Sequence, residues 1–303
     1  MSIKISNLRK SYGKIVAVDD FSLEIPGASV FGLLGPNGAG KTTTFKCMLD
    51  LARSTSGEIL YDGKRLEPAT FERVAYVPER SVLYDWMTVE EHVEMSRRAY
   101  AKFDPARAFE LLAAFNIDRK RRARALSKGM RTAVMVAIAF ARNAEILILD
   151  EPTSGLDPVN QRHVLSLMIN EAAKGNSVIF SSHQIGQVER AAEHIAVMDR
   201  GRLVLQGTVD ELKADRKIVE GIFPDVSFTL DGIARDLRVA RTDRTERIVR
   251  VLVTGGAEEI ASDLTGAGAM AVRVLDLNLE DIFLYAVSPA TATTDIVAKE
   301  SSS

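Results

Sequence analysis

The chain has 303 residues, 46% hydrophobic and 26% charged, an ordinary globular composition with room for one large domain or one domain and a smaller companion. A formal net charge of −2 gives no electrostatic footprint for nucleic acid, so no such partner is expected. A single cysteine, Cys47, excludes an internal disulfide and suits a reducing compartment, and its position after a glycine loop suits a buried core thiol. No stretch approaches the roughly 18 apolar residues of a membrane helix. The longest candidate, Ala133 to Ala141, suits a buried helix, and Met1-Ser2-Ile3-Lys4 lacks the layout of a secretory signal.

Over residues 3–31 short apolar runs alternate with turn residues (Tyr12-Gly13, Asp19-Asp20, Pro26-Gly27), which predicts a few partly antiparallel strands. General burial habits favour a strand-end packing role for Tyr12 over stacking on a base. Ser29–Leu34 reads as a buried parallel strand. The next residues, Gly35-Pro36-Asn37-Gly38-Ala39-Gly40-Lys41-Thr42, fit G-x-x-x-x-G-K-[ST] at every fixed position, and Thr43 to Leu51 can continue as a helix. Strand, glycine loop and helix form the context that the motif needs. Its glycines let successive backbone N–H groups point into one concavity that holds phosphate oxygens, helped by the positive end of the helix. Lys41 would reach the β- and γ-phosphates, and the Thr42 hydroxyl would ligate Mg²⁺.

Arg73 to Val77 reads as a strand, followed by Pro78-Glu79-Arg80-Ser81, a loop that carries one carboxylate. Thr88 and Glu91 have capping-box spacing, which predicts a helix from Val89 towards Tyr100, and another fits Pro105 to Phe115. The basic run Arg119 to Arg124 is short and balanced elsewhere, so a solvated face is the better reading. Leu126-Ser127-Lys128-Gly129-Met130 leads into an apolar helical stretch, Thr132 to Ala141, as a helix start able to hold an anion. Glu145 to Glu151 is a buried strand ending in two carboxylates, Asp150 and Glu151, and strand alternation would turn them to different tasks. In a phosphate-loop enzyme the first helps to hold Mg²⁺ and the second can orient the attacking water. After the turn-rich Pro152 to Pro158, a helix begins near Val159. Ser177 to Ser182 is a further strand with His183 at its end, where ligands gather in an open α/β sheet. Residues 195–198 and 202–205 read as a hairpin, and a helix at Val209 to Ala214 would close the domain.

In this order the motifs resemble the nucleotide-binding domain of ABC transporters over about residues 1–213. Gly35–Thr43 matches Walker A, Leu126–Met130 the signature, Ile146–Asp150 Walker B and Glu151 the catalytic glutamate. Ser154–Asp157 matches the D-loop, which adds Asp157 to the nucleotide contacts, and His183 the switch histidine. Tyr12 matches the aromatic that stacks on adenine, which reverses the balance struck for that residue alone. The resemblance implies a P-loop NTPase α/β core with an antiparallel β subdomain and a helical subdomain at about 80–142. It also implies ATP and Mg²⁺ as cofactors, with Thr42, Asp150 and Glu79 at the metal and Lys41, Glu79, Glu151 and His183 in catalysis. Two protomers, identical or related, would enclose ATP between Walker A of one and Ser127 and Gly129 of the other. The sequence departs from the family pattern at Lys128 and Met130, which replace a glycine and a glutamine, and at Glu79, which replaces a glutamine.

Beyond residue 213 strands fit Val226–Leu230, Arg247–Val253 and Ala271–Leu275, and a helix fits Ala257–Leu264. This forms a small α/β appendage over 214–287 with a tail at 288–303. Leu277 to Tyr285 resembles the ending of ABC-2-type exporter ATPases. The expected role is thus the ATP-hydrolysing subunit of an exporter, peripheral at the cytoplasmic membrane face, with transmembrane permease subunits docking on residues 79–125. Tyr84 and Trp86 are candidate contacts, although core packing suits either equally. A soluble ABC ATPase for assembly or repair is the alternative, and a GTPase is disfavoured because the sequence contains no N-K-x-D motif.

Overall fold

Alternation of apolar and polar residues drives the first sheet of the computed structural model, which describes residues 1–226, 230, 233 and 236–287. Strand β1 (Ile3–Tyr12) buries Ile3, Ile5 and Leu8, and β2 (Ile15–Ile25) buries Phe21, Leu23 and Ile25. The two pair antiparallel. Next come β3 (Val30–Leu34), buried at every position, α1 (Lys41–Met48), and β4 (Ser56–Tyr61), which joins the free side of β1. After α2 (Pro68–Phe71) and β5 (Val74–Val77) the chain turns helical.

Helix α3 (Val89–Ala99) starts at the expected capping box, with Glu90 and Glu91 in its first turn and Arg97 and Arg98 in its last, matching the helix dipole. Helices α4 (Pro105–Ala114) and α5 (Lys128–Phe140) pack with it as a small helical layer. Helix α5 begins earlier than the apolar run suggested, because Ser127 caps it through the Met130 N–H. Then β6 (Ile146–Asp150), α6 (Pro158–Ala173), β7 (Ser177–Ser182), α7 (Ile185–Ala191), β8 (His194–Asp199) and β9 (Arg202–Thr208) complete a six-stranded sheet ordered β5-β6-β7-β3-β8-β9. Strands β5, β6, β7, β3 and β8 pair in parallel, so the loops that follow them emerge at one end. Cys47 is buried, as expected of a core thiol.

The chain divides between Gly207 and Thr208 into two compact units. The helix expected to close the first, α8 (Val209–Asp215), belongs by this division to the second and contacts its last helix. That unit continues with β10 (Arg216–Ile222), β11 (Val239–Thr245), β12 (Ile248–Thr254), α9 (Ala257–Gly266), β13 (Ala271–Asp276) and α10 (Leu279–Val287). The sheet runs β11-β12-β10-β13, with α9 over β10 and β13 and a core of Val219, Phe223, Val251, Ile260 and Leu264. Most of the strand read at Val226–Leu230, and all of the tail at 288–303, lie outside the described residues.

One buried charge ties this second sheet together. The register sets Glu220 opposite Arg250 on one side and Arg273 on the other, and both guanidiniums bond its carboxylate at 2.8 Å or less. Burial pushes the Glu220 carboxyl up, the two arginines outweigh it, and the net position is below the usual range. A depressed carboxylate contributes stability above its unfolded pKa and loses it as pH falls through the folded value. Glu220→Gln should cost about 2 kcal/mol at neutral pH, discounted because both arginines are half exposed. The difference should shrink below about pH 4, and paired thermal melts at the two pH values check it.

Candidate active site

The parallel sheet gathers the chemistry at the ends of β3, β5, β6 and β7. The loop after β3 closes on Gly40, whose φ of 110° lies in the left-handed region. A Cβ there would meet the Ala17 carbonyl oxygen at 2.5 Å, so only glycine fits. Lys41 folds back over this loop, donating to the carbonyls of Gly35 at 2.7 Å and Pro36 at 3.3 Å. Burial lowers its pKa against the opposing pull of Glu151 and Asp150.

Thr42 donates its hydroxyl to one Asp150 oxygen at 2.7 Å, and Ser181 donates to the other at 2.6 Å. The β6–β7 register places Ser181 directly beside Asp150. Asp150 is almost wholly buried, and desolvation raises its pKa while the two hydroxyls pull it back. The next residue leaves the strand. Glu151 has a φ of 51°, and its N–H donates to the same Ser181 oxygen at 2.9 Å. Strand alternation therefore does not separate Asp150 from Glu151 as expected; this left-handed turn does. One Glu151 oxygen lies 2.9 Å from His183 Nδ1, and the other lies 3.7 Å from the Lys41 ammonium with no hydrogen-bond partner.

A cavity of about 460 Å³ opens over these groups. Of the expected site residues, Asn37, Gly38, Ala39, Gly40, Lys41, Thr42, Thr43, Glu79, Asp150, Glu151 and His183 line it. Gly35 and Pro36 contribute through their carbonyls to Lys41 instead. Tyr12 ends β1 at 48% exposure with the Lys10 ammonium 4.6 Å from its ring centre, so the packing role is excluded. Tyr84 and Trp86 are likewise exposed, at 51% and 67%, and are not core residues. Ser127 and Asp157 cap α5 and α6, and Gly129 packs on the Gly155 backbone, all off the cavity wall.

Sequence reasoning missed Ser181 and the loop contact of Lys128, whose ammonium donates to Ser154 Oγ at 2.9 Å. The signal for Ser181 was a hydroxyl pair, Ser181-Ser182, at the end of a wholly buried strand. The Thr42 hydroxyl, Asp150 and the orphaned Glu151 oxygen are hard oxygen donors that suit Mg²⁺, which takes one or two protein oxygens and completes its shell with phosphates and water.

Comparison with known proteins decides what this site belongs to. The ABC transporter family pattern matches residues 18–154. Over 286 residues the chain is 31% identical to the ABC transporter ATP-binding protein YtrB of Bacillus subtilis (strain 168), covering 93% of this chain and 97% of the relative. The chain belongs to the ABC transporter ATP-binding protein family. It is also 32% identical over 292 residues to the Nod factor export ATP-binding protein I of Cupriavidus metallidurans, covering 93% and 96% of the two chains. A solved dimeric bacterial ABC transporter cassette superposes with a TM-score of 0.62 at 25% identity, over 68% of this chain and 98% of that one. The protein is thus an ATP-binding and ATP-hydrolysing subunit of an ABC transporter. In this ABC ATPase, Gly40→Ala should cost about 3 kcal/mol through a strained φ and the overlap with Ala17. A lowered melting temperature with lost ATP binding would show it.

Proposed function

We propose that this ABC ATPase powers export through separate transmembrane subunits, and that Glu151 activates the water that attacks ATP. The observation carrying the catalytic reading is the Glu151 carboxylate at the cavity wall, anchored to His183 by one oxygen while the other lies 3.7 Å from the Lys41 ammonium and makes no hydrogen bond. A carboxylate held on one side, with hydrogen-bonding capacity left over on the other, is arranged to accept a proton from water. Lys41 binds the β- and γ-phosphates, and His183 holds Glu151 and contacts the γ-phosphate. Mg²⁺ is held by Thr42 and Asp150, with Glu79 at the same cavity wall; the ion neutralises phosphate charge.

The loop at Gly35 to Thr43 supplies the phosphate cradle, and Tyr12, exposed at a strand end, offers its ring to adenine. Ser127, Gly129 and Asp157 serve the site of a second protomer, a reading supported by the dimeric cassette. No helix among the described residues is long and apolar enough to cross a membrane. Work at the cytoplasmic membrane face therefore goes through partners, for which the exposed Tyr84 and Trp86, ring centres 5.8 Å apart, offer an aromatic contact. The likeness to an export ATPase over 93% of this chain supports the direction of transport.

Glu151→Gln removes the base but keeps the shape. It should lower the ATP hydrolysis rate by roughly a hundredfold or more while leaving ATP binding intact. Light scattering should then show a protomer pair that persists in MgATP. Ordinary turnover would remove Glu151 from this role. Co-purification without any membrane protein from cells expressing the neighbouring genes would count against the export assignment.

A further inference from the structure

Glu79 and Lys128 depart from the family pattern and are left unexplained by the reaction itself. Both line the nucleotide cavity, and both line a second cavity of about 420 Å³ beside it. Lys128 is held in place from several sides. Its ammonium donates to Ser154 Oγ at 2.9 Å, and its carbonyl accepts from Thr132 Oγ1 at 3.2 Å. Thr132 Oγ1 also reaches the Ser154 carbonyl at 3.3 Å, so helix α5 and the loop after Glu151 are tied together at this residue. Next along the chain, a Cβ on Gly129 would come within 2.1 Å of the Gly155 carbonyl oxygen. The backbone at 128–129 therefore has little freedom, and the Lys128 side chain extends over the loop that follows the catalytic carboxylates.

Glu79 acts on the same space from the other side. Its carboxylate lines the same cavity as Lys41 and Asp150 and adds a negative charge to that wall. Left alone, it would repel the phosphates of an incoming nucleotide. The wall of the nucleotide cavity carries three carboxylates (Glu79, Asp150 and Glu151) and two ammoniums (Lys41 and Lys128). Taking away Glu79 and Lys128 together leaves two carboxylates and one ammonium, the same net charge. Taking away either alone shifts it by one unit. We propose that Lys128 and Glu79 are a matched charge pair, in which Lys128 is the positioning residue that offsets the Glu79 carboxylate at its own protomer's nucleotide site. This rests on the ATP-site reading above.

Titration with MgATP tests it on the full chain, at concentrations where light scattering shows single protomers. Lys128→Gln keeps a donor for Ser154 but loses the charge, whereas Lys128→Arg keeps the charge. Lys128→Gln should weaken MgATP binding about fivefold at low salt, less at high salt, and Lys128→Arg should match the wild type within about twofold. Adding Glu79→Gln to Lys128→Gln should restore most of the lost affinity, and Glu79→Gln alone should tighten binding. A Lys128→Gln variant that binds like the wild type would make Lys128 only a tether to Ser154 and overturn the pair. Failure of Glu79→Gln to reverse the loss would also overturn it. A wild-type chain that does not bind MgATP would overturn the ATP-site reading, and the pair with it.

Discussion

Asp150 is a carboxylate sealed at the end of a five-residue strand in which every position is buried. Removing such a charge from water is costly unless donors replace the lost hydration. Two hydroxyls do so, Thr42 from the start of α1 and Ser181 from the neighbouring strand. They only partly offset burial, since the Asp150 pKa stays raised. In the proposed reading a divalent cation would satisfy the remaining demand, which gives so apolar a strand a reason to end in an acid. The same Ser181 oxygen accepts the Glu151 N–H, so one hydroxyl fixes both Asp150 and the turn that aims the next carboxylate. A slip of β7 by one residue would put Phe180 or Ser182 opposite Asp150 and break both contacts at once.

The parts legible in the sequence are those whose chemistry lies in contiguous residues at fixed spacing. The phosphate loop is one, because close backbone wrapping demands glycine at particular positions. The Thr88–Glu91 capping box is another, because both partners lie within one helical turn. Ser181 could not be assigned, since its task exists only through a pairing of strands thirty residues apart. The alternation argument for Asp150 and Glu151 failed for a local reason: the strand ends between them, and a left-handed residue resets the direction. In the second unit, β10 and β11 escaped notice for different reasons. Glu220 interrupts the apolar pattern of β10 and is acceptable only because two arginines lie across from it. Strand β11, at the edge of its sheet, is too polar to show a period.

The packing of α5 on the loop after β6 bears on how two sites could work together. Gly129 has no room for a side chain because the Gly155 backbone occupies that place, and Thr132 bonds both Lys128 and Ser154. Contacts this close transmit displacement, because packed backbone cannot be compressed. In the two-protomer reading, Ser127 and Gly129 touch the partner's nucleotide while Glu151, four residues before Gly155, works on this protomer's own. A shift of α5 as it meets the partner's γ-phosphate would then carry the 151–157 loop with it, altering the Glu151–His183 geometry at the other site. Coupling of that kind would need only one rigid contact inside each chain, and in the two-protomer reading the close packing of Gly129 on the Gly155 backbone would be that contact.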